Sequence, residues 1–210
     1  SFIRDIHETG HFLGVPDLYD VNGGGNGIGS YGLMANSWGF DGSQYFPPYL
    51  SAWSRLQLGW ATATAPLEGI NYIETAANQD ATYPRVYKID EGFPTGEYLL
   101  IENRQAYGYD TPLPQGGLAI YHIDESADFK TEGYPGQPLW PENGNHYRVA
   151  LLQADGNYDL EKGEGRGEGG DVFHGSGVSS LAPSSLPEPP GPFPNTDSYQ
   201  GGLVVSTSVY

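Results

Sequence analysis

The stretch His-Glu-Thr-Gly-His-Phe-Leu-Gly-Val-Pro-Asp at 7–17 restricts this chain more than any other. Its form is H-E-x-x-H-x-x-G-x-x-D. On an α-helix, His7 and His11 share one face about 6 Å apart along the axis, a spacing that lets two imidazoles converge on one zinc ion. Glu8 lies roughly 100° further round the helix. There it is poorly placed to join the ligands but can reach a water beside them as a general base. Gly14 accepts the left-handed conformation that ends helices. The turn beyond it brings Asp17 back as a third ligand, with Asp20 as the alternative. The fourth position stays open, as catalytic zinc requires. The competing reading of the first five residues is an amphipathic helix with two histidines and no metal. The offsets of Gly14 and Asp17 count against it.

Composition narrows the setting. The 210 residues suffice for one large domain or two small ones. A formal net charge of −17 argues against nucleic acid or anionic membrane surfaces as partners. The same acidity suits calcium as a second cofactor, or simply keeps a secreted protein soluble. With 16 Tyr, 8 Phe and 4 Trp the chain is too aromatic for disorder. The absence of cysteine removes disulfides, thiolate ligands and thiol nucleophiles together. No run of 18 apolar residues exists, so no membrane-inserted helix is expected. Signatures of serine hydrolases, P-loop proteins and dinucleotide binders are missing. Paired carboxylates leave a glycosidase open on residues alone, and a β-sandwich rich in Tyr and Trp leaves sugar binding open.

Phe2, Ile3, Ile6, Phe12 and Leu13 predict a helix over 1–14, buried along one side, and Pro16 forbids its continuation. A glycine-rich loop over 17–30 follows. Met34 is the only methionine, and it sits in the tight stretch 31–37 about 20 residues after the zinc pattern. A lone methionine is ordinarily core filler, but a zinc motif followed by a methionine turn is also the metzincin signature, there with histidine as third ligand. Pro47 and Pro48 open a partly helical segment ending at Trp60. Between them, Trp38, Phe40, Tyr45 and Phe46 either wall a pocket for the residue after the scissile bond or cover the core.

From Ala61 the period changes. Short β-like runs at 71–75, 85–89, 98–103, 118–123, 147–153 and 203–209 are separated by Gly and Pro. His122 and Asp124 point to the same face of a strand, either as a hydrogen-bonded pair or as part of a second metal site. Asp155, Asn157, Asp159 and Glu161 alternate like the start of a calcium loop, although Leu160 stands where an EF-hand has glycine. With Asp171 they form either a calcium site or a solvated acidic loop. The segment 184–195 carries five prolines and reads as an extended connection or docking segment.

The zinc pattern, Met34, the segment 47–60 and the stretches at 101–105, 117–125 and 153–156 together resemble the immune inhibitor A-like family of secreted bacterial metallopeptidases. The resemblance covers most of the chain. It implies that His7, His11 and Asp17 bind zinc, that Glu8 is the catalytic base and acid, and that Met34 forms a hydrophobic floor without ligating the metal. It implies a zinc endopeptidase acting on protein or peptide substrates outside the cell. The expected fold is α+β. Residues 1–62 form the C-terminal helical part of a metzincin-like catalytic domain, and 63–210 a mainly antiparallel, sandwich-like β module. Because enzymes of this type place a β subdomain before the active-site helix, a missing upstream subdomain is expected as a partner. A catalytically incompetent fragment of such a peptidase, or a β-sandwich that binds sugar or protein, is the alternative.

Overall fold

The fold was obtained as a computed structural model that describes residues 2–22, 24–36, 38–128, 133–138, 140–141, 146–186 and 193–210. Ser37 of the methionine turn and residues 187–192 of the proline-rich segment lie outside these. The architecture is α+β. Helix α1 spans Phe2–Leu13, helix α2 spans Ala52–Gln57, and four strands follow: β1 (Tyr87–Ile89), β2 (Glu97–Arg104), β3 (Gly117–Asp124) and β4 (Val149–Leu151). They form one antiparallel sheet in the order β1-β2-β3-β4.

Both faces of this sheet are buried. Leu100, Tyr121 and Leu151 stand in register across β2, β3 and β4 and pack with Val15, Leu18, Tyr31, Met34 and Trp53. Leu99, Ile101 and Ile120 point the other way and pack with Phe173 and Leu181. A strand covered on both sides reads as a continuous apolar run, which is why 98–101 and 118–121 lack polar alternation. The first core unites residues from before and after position 62.

Several expectations need correction. Among the described residues there is a single sheet, with loops and helices covering it, where a sandwich was expected. The runs at 71–75 and 203–209 contribute only the isolated bridges of Thr75 to Asn103 and Val209 to Leu181. In 203–209 only Val205 is fully buried, so little holds the rest to a ladder. Helix α2 is shorter than the segment 47–60. It begins after Ser51, whose hydroxyl caps Ser54 N at 3.2 Å.

Helix α1 ends as its sequence demands. Gly14 has φ +99°, Val15 N donates to Gly10 O at 3.2 Å and Gly14 N to His11 O at 3.0 Å, which together make a Schellman motif. Its burial differs from expectation. Ile3, His7 and Gly10 form the inward stripe, while Phe2, Phe12 and Leu13 are exposed.

Candidate metal centre and adjoining cleft

The Schellman turn redirects the chain so that Asp17 returns beside the helix. Asp17 Oδ1 lies 3.1 Å from His7 Nε2 and 3.2 Å from His11 Nε2. The other nitrogen of each ring faces a backbone carbonyl: His7 Nδ1 lies 2.8 Å from Leu33 O, and His11 Nδ1 lies 3.0 Å from Val15 O. A carbonyl only accepts, so in the neutral rings Nδ1 carries the proton and Nε2 presents a lone pair. Three acceptors then converge on one point, an arrangement that repels itself unless a cation or protons lie between them. Four ligands at about 2.0–2.2 Å in a tetrahedron sit about 3.3 Å from one another. The spacings around Asp17 Oδ1 match that edge, so the donor set fits a tetrahedral metal ion. Carbonyl-anchored imidazoles are also the usual outer support of metal-binding histidine.

The methionine turn supports this centre from below. Leu33 supplies the carbonyl for His7, Met34 O accepts Leu18 N at 3.0 Å, and the Met34 side chain is fully buried. Its sulfur packs so closely under Gly10 that a Cβ there would overlap it. A side chain at the helix position between the two histidines would therefore force Met34 to shift. Asp20 turns away, its Oδ1 accepting Asn22 N at 2.8 Å.

A cleft of about 510 Å³ opens beside the triad, lined by His7, Glu8, Tyr19, Trp38, Arg4 and Arg166 among others. Of the four aromatics expected to wall a pocket, Trp38 does so. Phe40 stacks edge-on against Tyr31 at 5.2 Å in the core, and Tyr45 is exposed. Tyr19 was not foreseen. Partial burial, and then the Asp17 carboxylate, raise its pKa, so its phenol keeps its proton close to Glu8 and Asp17. Arg4 was legible in principle, because it stands four residues before Glu8 on the same helix face. No sequence spacing links Arg166 to this cleft.

Among the described residues the proposed calcium ligands do not bring three carboxylate oxygens within 4.8 Å of one another. Among the described residues the only group of three or more His, Asp or Glu donors within 4.8 Å is His7, His11 and Asp17. The oxygens of the acidic loop are occupied in turns. Asp155 Oδ1 accepts Asn157 N at 2.9 Å, its Oδ2 accepts Asn157 Nδ2 at 3.0 Å, and Asp171 Oδ2 caps Glu168 N at 2.7 Å. After burial, the charges of Asp155, Glu168 and Asp159 raise the pKa of Asp171, so these carboxylates share one electrostatic neighbourhood without forming a tight donor cluster. His122 and Asp124 share a face as expected but do not pair with each other. His122 Nε2 meets Glu97 Oε1 at 2.6 Å and Asp124 Oδ2 meets His146 Nε2 at 2.9 Å. Burial lowers the pKa of His122, which Glu97 opposes.

Comparison with family models, with curated proteins and with solved structures found no match. Among the described residues no helix is long and apolar enough to cross a membrane. The chemistry of the site therefore rests on its own geometry.

Proposed function

We propose that this chain is a zinc-dependent endopeptidase, metzincin-like in its motif, that hydrolyses peptide bonds of extracellular proteins. The observation that carries the reading is the shared orientation of the two imidazoles. Each ring is anchored through Nδ1, so that Nε2 of His7 and of His11 faces one oxygen of Asp17. Zinc held there supplies a Lewis acid for the scissile carbonyl and for the attacking water. Glu8 lines the adjoining cleft, where it takes a proton from water and returns it to the leaving amine. Water thus adds hydroxide to the carbonyl carbon and a proton to the nitrogen as the C–N bond breaks. Tyr19 holds a protonated phenol in the same cleft, available as a hydrogen-bond donor. Met34 touches the helix from beneath and is not a ligand.

The test is metal content after dialysis combined with casein cleavage. One zinc per chain and chelator-sensitive cleavage are expected. Glu8→Ala should keep the zinc and lose cleavage by about 100-fold or more. Unchanged, chelator-sensitive cleavage by that variant would falsify the role given to Glu8.

A further inference from the structure

We infer that Arg4 and Arg166 make the cleft a carboxylate-binding site, so that the peptidase proposed above selects substrates with a carboxylate next to the scissile bond. The inference rests on that peptidase reading for its chemistry, but the binding site stands on separate observations. The chain has only nine Lys and Arg residues. Arg55 pairs with Glu102, Arg104 with Glu102 and Asp110, Lys88 with Asp90, and Arg148 with Glu125. Arg85 donates to Asn78 O at 3.0 Å and Lys162 to Asn157 O at 2.6 Å. Among the described basic residues, Arg4 and Arg166 alone have neither an ion pair nor a side-chain hydrogen bond. Both line the cleft beside His7 and Glu8.

A free guanidinium on a surface needs no explanation by itself. Two in one cleft of a chain with net charge −17 are another matter, since a neighbouring carboxylate would be the ordinary partner. The backbone also places them deliberately. Arg4 shares a helix face with His7, Glu8 and His11. The Arg166 carbonyl accepts Ser30 N at 2.6 Å, and Gly165 O accepts Asn26 Nδ2 at 2.5 Å, which anchors the second arginine to the loop after the motif. The charges of Glu8 and Asp17 offset those of a divalent ion, so the two arginines leave the cleft positive. Acidic groups elsewhere on the surface are screened within about 8 Å at physiological salt, whereas a ligand seated in the cleft meets the guanidinium forks directly. Each fork offers paired donors that match a carboxylate. That carboxylate is either an Asp or Glu side chain or the free end of the substrate chain.

The test uses hexapeptides of alanine, blocked at both ends, that carry one central Glu, Gln or Lys. A fourth has a free carboxylate in place of the terminal amide. Binding to zinc-loaded Glu8→Gln protein is measured by calorimetry, and cleavage by the wild type is measured in parallel. The Glu peptide or the free-carboxylate peptide should bind about tenfold more tightly than its neutral counterpart, and Lys more weakly than Gln. The ratio should fall to about one in Arg4→Ala/Arg166→Ala. A gain with central Glu identifies the side chain as the source, and a gain only with the free terminus identifies the chain end. Equal binding of charged and neutral peptides, or a preference that survives in the double variant, overturns the inference. Selective binding without any cleavage keeps the carboxylate site and sinks the peptidase reading; cleavage without selectivity does the reverse. Both side chains are exposed and without partners, so the double variant keeps the fold, which far-UV circular dichroism checks.

Discussion

Spacing after Gly14 favours Asp17 over Asp20 as a third ligand, and three distances separate them in the same sense. Asp17 Oδ1 stands 3.1 and 3.2 Å from the two imidazole Nε2 atoms, whereas Asp20 Oδ1 closes an Asx turn 2.8 Å from Asn22 N. Asp17→Ala should therefore lower zinc affinity by more than the ~10–100-fold typical of losing an outer-shell partner. Asp20→Ala should leave zinc affinity nearly unchanged and affect only the loop. Competition with a zinc-responsive dye measures both, and a larger loss from Asp20→Ala would reverse the assignment. The motif thus specified the donor types and pointed to Asp17, and the turn that Gly14 creates is what carries that residue back to the helix. The second guanidinium of the cleft needed still more. Arg166 reaches it through a fold contact with Ser30, and contacts across that many residues leave no local pattern.

Helix α1 shows why its apolar residues misled. Periodicity placed Phe2, Phe12 and Leu13 inside, yet the stripe that packs is Ile3, His7 and Gly10, because the helix turns its histidines and its one small residue toward the Met34 turn. Gly10→Ala sets two effects against each other. Helix propensity favours alanine by about 1 kcal/mol, while overpacking a buried contact costs about 1–3 kcal/mol. The clash is with the sulfur and terminal methyl of Met34, a side chain that is 0 % exposed and packed in the core, so overpacking is expected to win. A net loss of about 1–2 kcal/mol in urea unfolding is expected, and a stabilised variant would show that Met34 can shift. The sheet is fastened to the same turn through charge. Arg104, fully buried on β2, donates to Asp110 Oδ2 at 2.6 Å, to Glu102 and to Tyr31 O at 2.7 Å. Its charged state is reinforced by Asp110 and then Glu102, against the effect of burial. Removing one partner of such a network leaves charge stranded, so Arg104→Met should cost about 3–5 kcal/mol. Lys88→Met, which breaks the exposed pair with Asp90 and the contact of Lys88 Nζ with the Tyr98 ring at 4.2 Å, should cost no more than about 1–2 kcal/mol under the same conditions.

Across the whole molecule, the strand runs were legible because a sheet buried on both faces writes a plain apolar sequence. The isolated bridges at 75 and 209 were not, since their residues have β character without a neighbour to pair with. The acidic half left two readings open in the sequence, a calcium site or a solvated loop, because spacing does not show which carboxylates are buried. Spacing suggested oxygen ligands facing one cation, but folding buries some of these groups and spends others on turns. Glu161 is the clearest case. Burial pushes its pKa up to about 8, while its hydrogen bond from Gln153 pulls the other way. Asp171 is likewise raised to about 7, mainly by burial. In the unfolded chain both carboxyls titrate near 4. Between roughly pH 4 and pH 8, then, the folded state holds protons that the unfolded state has released. The sign is unambiguous: this contribution is fully present below the unfolded pKa and is lost as pH rises through 7 to 8. Each group gives a slope approaching about −1.4 kcal/mol per pH unit inside its window. Urea unfolding of Glu161→Gln, compared with wild type at pH 5.5, 7.0 and 8.5, isolates one of the two. The amide cannot ionise, so the variant should gain on the wild type as pH rises, with the largest difference at pH 8.5. Parallel curves across that range would mean that Glu161 is charged throughout and compensated by a bound cation, which would return the acidic loop to consideration as a metal site.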